Sequence, residues 1–148
     1  MLNNDYKDIL SILSENKVRF LLVGAYAMAV HGYPRSTMDI DLWVMPDPKN
    51  ATLVLQALES FGAPACDLST EELQKEDLIF QIGVAPRRID IITSIDGLKF
   101  EEAFTRSQLI DIEGIPVHVL SVPDLIINKR AAGRLKDLAD IEALQNIG

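Results

Sequence analysis

The sequence predicts a mixed α/β (α+β) fold, with helices packed on a mixed β-sheet and a helical pair at the C-terminus, in one domain spanning residues 1–148. Three observations predict it. Short β-like runs alternate with stretches of helical periodicity, in the order α-β-α-β-α-α-β-β-α-β-β-α-α. Hydrophobic residues make up 48% of the chain and are spread evenly, so a core can form without staples. No repeat, low-complexity tract or long linker divides the chain.

The elements follow in order. Residues 4–15 place Ile9, Ile12 and Leu13 at helical spacing, with Asn4 expected as the N-cap. Residues 19–23 (RFLLV) are a β-like run that stops at Gly24, and the alanine-rich residues 25–30 form a short helix broken at His31-Gly32. Residues 33–37 carry turn chemistry. Residues 39–44 (DIDLWV) alternate polar and apolar over their first half, as a strand buried on one face does, and Pro46 and Pro48 close it. Pro48–Phe61 is predicted helical with Gly62 just beyond, and residues 69–72 resemble a helix start. Residues 78–82 and 87–93, split by Gly83 and Pro86, read as a β-hairpin. Phe100–Arg106 is a short helix, and residues 109–112 and 117–120 form a second strand pair around Glu113-Gly114. From Ser121 onward the chain is helical, with Pro123 in the first turn and a break at Gly133.

Composition removes several classes of function. The single cysteine, Cys66, cannot form an internal disulfide, and no Cys/His cluster has zinc-ligand spacing, which fits a reducing cytoplasm. No apolar run approaches the roughly 20 residues that cross a bilayer, so no membrane partner is expected. The start, MLNNDYKDIL, lacks the basic and apolar blocks of a secretory signal. A net charge of −8 argues against a sequence-blind nucleic-acid coat. Positive charge nonetheless gathers at Arg87-Arg88 and at Lys129, Arg130, Arg134 and Lys136.

The sharpest feature is Asp39-Ile40-Asp41. Side chains two apart on a strand leave on the same face, with Cα atoms roughly 6.5 Å apart. Two carboxylates there repel each other unless a cation joins them, and Mg²⁺ favours one or two carboxylates together with water and substrate phosphate oxygens. A third carboxylate, Asp90, lies in Arg88-Ile89-Asp90-Ile91-Ile92, where apolar neighbours on both sides imply a strand within the sheet. A charge in such a run is costly unless paired or metal-bound. If its strand lies beside that of Asp39 and Asp41, the three converge on a site for two metal ions, roughly 3.5–4 Å apart in such centres. Each short motif alone is weak; the constellation carries the reading.

Ahead of the aspartates, residues 21–25 (LLVGA) run from a strand into a glycine and then a helix. Glycine lets backbone approach a phosphate, and free N–H groups at a helix start favour anions. Together, Gly24-Ala25, Asp39-Ile40-Asp41 and Asp90 resemble the polymerase-beta-like nucleotidyltransferase superfamily. The stretch VGAYAMAVHGYPRSTMDIDLWV is similar to its minimal bacterial branch, where H-G-x-x-R-x-T-x-D-I-D-L recurs. KRAAGRLKDLADIEAL resembles the closing helices of abortive-infection and toxin-type members. The resemblance covers residues 18–44, 87–93 and 123–145.

The resemblance implies a nucleotidyltransferase fold and a metal-dependent transfer of a nucleoside monophosphate from a nucleoside triphosphate to an acceptor hydroxyl, releasing pyrophosphate. It implies that Asp39, Asp41 and Asp90 are the catalytic, metal-binding residues, with two Mg²⁺ ions for which Mn²⁺ could substitute, and that Asp90 helps activate the acceptor. Gly24 and Ala25 would face the triphosphate, Lys129 would be the phosphate-facing lysine, and Asp137 the aspartate of the closing helix. One departure is Ala25, where the family often has Ser or Gly; alanine has no hydroxyl to offer a phosphate oxygen, a part that Arg35 and Ser36 could take. Arg35, with Ser36 and Thr37, stands just before the aspartates, where an arginine can neutralise phosphate. An RNA 3′ end, a protein hydroxyl and a small-molecule hydroxyl all remain open as acceptors, and the toxin-like C-terminus makes an antitoxin protein a candidate partner. The competing reading is a non-catalytic nucleotide-binding or partner-binding module on the same fold. His31 is balanced between nucleotide contact and helix capping, Arg88 is expected to pair with Asp90, Arg87 to be solvated, and Trp43 to alternate away from the aspartates into the core.

Overall fold

A computed structural model describes residues 2–33, 39–63, 68–84 and 87–147. The elements are α1 (Asn4–Glu15), β1 (Phe20–Val23), α2 (Gly24–Val30), β2 (Ile40–Val44), α3 (Pro48–Phe61), a 3₁₀ turn (Glu72–Gln74), β3 (Ile79–Ile82), β4 (Ile89–Ile92), α4 (Phe100–Arg106), β5 (Gln108–Ile112), β6 (Ile115–Val119), α5 (Val122–Ala132) and α6 (Leu135–Ile147). The six strands form one mixed sheet in the order β3-β4-β2-β1-β6-β5. β1 runs antiparallel to β2 and parallel to β6, β2 runs parallel to β4, and β3–β4 and β5–β6 are antiparallel hairpins. The expected strands and the C-terminal helical pair are present, as are the expected helices except the one at residues 69–72, and the architecture is the mixed α/β sheet that the sequence predicts.

Central position explains composition. β1 (FLLV) is buried along its whole length, and β2 is buried at every position but Asp41. Strands covered on both faces read as continuous apolar runs, which is why Leu21, Leu22, Ile40 and Leu42 are wholly enclosed. Local chemistry sets the helix ends. Asn3, not Asn4, caps α1, its side-chain oxygen accepting the Tyr6 N–H at 2.8 Å. Asp47 caps α3 by accepting from the Asn50 N–H, Pro48 fills the first turn, and Gly62 ends the helix at φ +88°. Ser69 and Glu72 exchange side-chain and backbone bonds as a capping box, but only a 3₁₀ turn follows, where a helix start was expected.

Asn50 and Asp124 are buried polar residues that fix the scaffold. Asn50 accepts from the Arg19 N–H and donates to the Arg19 and Met45 carbonyls, locking α3 to the ends of β1 and β2. Asp124 receives the Arg106 guanidinium at 2.9 and 3.2 Å, tying α4 to the first turn of α5. Trp43 requires a correction. It shares the face of Asp41, since strand side chains repeat every second residue. It is nonetheless core, because Phe100 of α4 lies edge-on to it at 5.2 Å and its indole N–H donates to the Thr93 carbonyl. Among the described residues no helix is long and apolar enough to cross a membrane.

Candidate active site

The parallel pairing of β2 with β4 brings the acidic residues together. Asp41 and Asp90 are direct cross-strand partners, although 49 residues separate them in the chain. Asp39 precedes β2 and is drawn to β4 by a hydrogen bond from the Arg88 N–H to its Oδ1 at 3.0 Å. The Arg88 peptide is itself anchored, its carbonyl accepting from the Ile40 N–H at 3.0 Å and the Tyr6 hydroxyl at 3.3 Å. Thus the three carboxylates that the sequence singles out meet on one side of the sheet.

Their charge is concentrated and incompletely balanced. Burial, then the neighbouring charge and hydrogen bond of Asp90 and the charge of Asp39, push the Asp41 carboxyl up to about 7, against a smaller pull from Arg88. The Arg88 guanidinium lies across the other two, with Nε 2.7 Å from Asp90 Oδ1 and Nη2 3.1 Å from Asp90 Oδ2 and 3.3 Å from Asp39 Oδ2. Arg88 therefore pairs with Asp90 as expected. Among the described residues no acidic trio is already drawn into a metal-binding group; the guanidinium holds two of the three instead. The donor set fits a hard divalent cation. It is all carboxylate oxygen, and burial together with crowding raises one of its members where positive charge would lower it.

Gly24 stands directly behind Asp41. It has φ +71°, and a Cβ added there would collide with Asp41 Oδ2. Only glycine leaves the carboxylate its room at this turn from β1 into α2. Gly24 and Ala25 line a cleft of about 450 Å³ together with Asp39, Asp41, Asp90 and Lys129.

Lys129 enters that cleft from the last turn of α5, nearly buried, with Nζ 3.0 Å from Asp140 and 3.5 Å from Asp137. Asp137 does not line the cleft. It is wholly buried, accepts from the Arg134 backbone N–H at 3.1 Å and pairs with the Arg134 guanidinium at 2.7 Å. Burial pushes its carboxyl up, but these bonds and the charges of Arg134 and Lys129 hold it below the ordinary carboxylate value. Its place against the lysine at the cleft belongs equally to Asp140, which the sequence reading missed. The i, i+3 spacing of Asp137 and Asp140 on one helix was the available signal. Lys136 also lines the cleft. His31 is the C-cap of α2 and its Nε2 meets the Leu120 carbonyl at 2.8 Å, a structural position. Arg35, Ser36 and Thr37 lie outside the described residues. Arg87 is exposed.

A sheet that sets crowded carboxylates beside a glycine turn and a lysine-bearing helix defines the chain as a nucleotidyltransferase, an enzyme that transfers nucleotidyl groups. Residues 2–147 match the family described as nucleotidyltransferase of unknown function (DUF6036), and the chain belongs to it. Two solved structures share the fold. A candidate nucleotidyltransferase of Thermotoga maritima is 16% identical with a TM-score of 0.59, covering 99% of this chain and 94% of that one. The lincosamide antibiotic adenylyltransferase LnuA, in a lincomycin-bound crystal structure, is 15% identical with a TM-score of 0.59, covering 100% and 99% respectively. Their likeness to this chain is one of fold. No curated protein is similar in sequence.

Proposed function

We propose that the chain, as one domain, transfers a nucleoside monophosphate from a nucleoside triphosphate to an acceptor hydroxyl, with Asp39, Asp41 and Asp90 as its catalytic carboxylates. The observation that carries the reading is the register of β2 and β4, which sets Asp41 opposite Asp90 beside the glycine turn. Asp39, Asp41 and Asp90 would hold two Mg²⁺ ions, or Mn²⁺ in their place. When bound, these ions supply Lewis-acid activation and neutralise charge on the phosphates.

The chain's own groups divide the remaining work. Gly24, free of a Cβ, leaves the Asp41 carboxylate its room at the turn where the triphosphate would sit, and Ala25 beside it adds only a methyl to the cleft wall. Lys129, steadied by Asp137 and Asp140, presents positive charge to the phosphates, with Lys136 and Arg35, Ser36 and Thr37 as further candidates. The acceptor oxygen forms a bond to the α-phosphorus as the bond to pyrophosphate breaks, and an Asp90 carboxylate oxygen takes the hydroxyl proton. The acceptor is open among an RNA 3′ end, a protein hydroxyl and a small-molecule hydroxyl; a toxin role, suggested by the C-terminal resemblance, would favour the first and bring an antitoxin protein as partner. The single cysteine favours a cytoplasmic setting.

The test supplies each α-labelled nucleoside triphosphate with Mg²⁺, purified protein and a cell extract, then follows the label. Transfer by the wild type should drop about 10²–10⁴-fold in Asp90→Asn, the range of a lost general base. It should vanish in Asp39→Asn and Asp41→Asn with the fold intact. Full activity in Asp39→Asn would overturn the assignment.

A further inference from the structure

The active-site face of the sheet does not end at Asp90. Cross-strand pairing continues it in two rows onto β3, the edge strand. One row runs Asp41, Asp90, Gln81; the next runs Trp43, Ile92, Ile79. Gln81 is exposed, and Ile79 is 60% exposed although its cross-strand neighbour is apolar. An isolated surface isoleucine needs no explanation, but this one floors a groove of about 290 Å³ together with Ile92, Ile95 and Ala132. Ile92, Ile95, Asn128 and Arg134 line both this groove and the catalytic cleft, so the two are continuous.

The groove is a built feature of the fold. Its far wall, the turn before α4, is clamped to α5: Asn128 donates to the Asp96 carbonyl at 3.0 Å, and Gly97 lies so close that a Cβ would stand 2.8 Å from the Ala131 Cβ. The groove opens on the Asp90 side of the carboxylates, whereas Gly24 and Ala25 flank Asp41 from the β1 side. A triphosphate seated at Gly24 would leave this side for the second substrate. Its size is at the lower bound of small-ligand pockets. Its rim carries Asp77 and Asp96, and the Arg134 beside them is already committed to the buried Asp137. Such a rim repels a phosphodiester strand and suits a ligand without negative charge.

Resting on the nucleotidyl-transfer reading, we propose that this groove is the acceptor subsite, and that it takes a compact alcohol, uncharged or cationic, whose apolar face lies on Ile79, Ile92 and Ile95 and whose hydroxyl reaches Asp90.

The test uses full-length protein with ¹³C-labelled isoleucine δ1 methyls, loaded with Mg²⁺ and a non-hydrolysable ATP analogue. The probes are cyclohexanol, trans-4-aminocyclohexanol and a short RNA with a free 3′ hydroxyl. The alcohols should move the methyl resonances of Ile79, Ile92 and Ile95, and the RNA should not. Ile79→Gln, a change at an exposed edge position, should weaken alcohol binding at least fivefold. Response to the RNA alone, or to none of the probes, overturns the proposal. Thermal shift by Mg²⁺ with the analogue separates the two levels. If the nucleotide binds and the alcohols do not, only the acceptor subsite fails; if none of the four triphosphates' analogues, tried in turn, binds either, the nucleotidyl-transfer reading fails with it.

Discussion

Gly24 and Asp41 act as a pair, since the first exists in its backbone conformation to leave space for the second's carboxylate. Gly24→Ala should therefore cost about 1–3 kcal/mol for a left-handed non-glycine residue and also displace the Asp41 carboxylate. Chemical denaturation reads the first effect and Mn²⁺ titration the second; an alanine variant with unchanged Mn²⁺ affinity would show that the close approach has no bearing on the site. Arg88 makes the converse argument. Its guanidinium is the nearest counter-charge to Asp39 and Asp90 without metal, so Arg88→Gln should lower the melting temperature in EDTA at neutral pH, and Mg²⁺ should restore most of the loss. An equal loss with and without Mg²⁺ would make Arg88 a purely structural residue. At this scale much of the site was legible, because Asp39, Asp41 and Asp90 stand out as charges in apolar strands. Asp140 did not, since its i, i+3 spacing from Asp137 is a weak mark in a helical sequence that reads as exposed.

Between α5 and α6 the joining force is electrostatic as well as apolar. Lys129 ends one helix, and Asp137 both opens the next, by receiving the Arg134 N–H, and faces the lysine from a wholly buried position. Asp137→Asn weakens the buried contact to Lys129, which keeps Asp140, and removes the charge that the Arg134 guanidinium and N–H meet, so it should destabilise by about 3 kcal/mol. For a chain of this size that corresponds to a melting temperature lower by about 6–12 °C. Lys136→Ala, at the rim of the cleft, should leave stability nearly unchanged. Equal losses in the two variants would show that the buried pair has no special part in holding the helices together. Elements with strong local signals were readable: Pro48–Phe61 and Phe100–Arg106 have the predicted bounds, one fixed by Asp47, Pro48 and Gly62. Where signals competed, they misled. Asn3 and Asn4 are chemically equivalent caps, and the capping box at Ser69 lacks the apolar run that would extend it into a helix.

Sheet order is the part that periodicity does not reach. Both hairpins were evident because a turn joins their strands, but the pairings β1–β2, β2–β4 and β1–β6 depend on how helices cover the two faces, and that information is non-local. The parallel β2–β4 pairing gives the molecule its site and also a cost. It buries Asp41 and holds it beside Asp90 before any cation arrives, so the folded chain binds a proton at Asp41 that the unfolded chain releases near 3.8. A carboxyl raised on folding contributes its stability below that ordinary value and loses it as pH rises through about 7. In EDTA, the wild-type melting temperature should therefore fall between pH 5 and pH 8 by more than that of Asp41→Asn, and at pH 8 the variant should be the more stable protein. Saturating Mg²⁺ should reverse the order at pH 8, because only the wild type keeps the full carboxylate set for the cation and binding to the folded state adds stability. If both proteins show the same pH dependence in EDTA, the carboxylates carry no stored repulsion, and the electrostatic reason for expecting metal ions at this point of the sheet is removed.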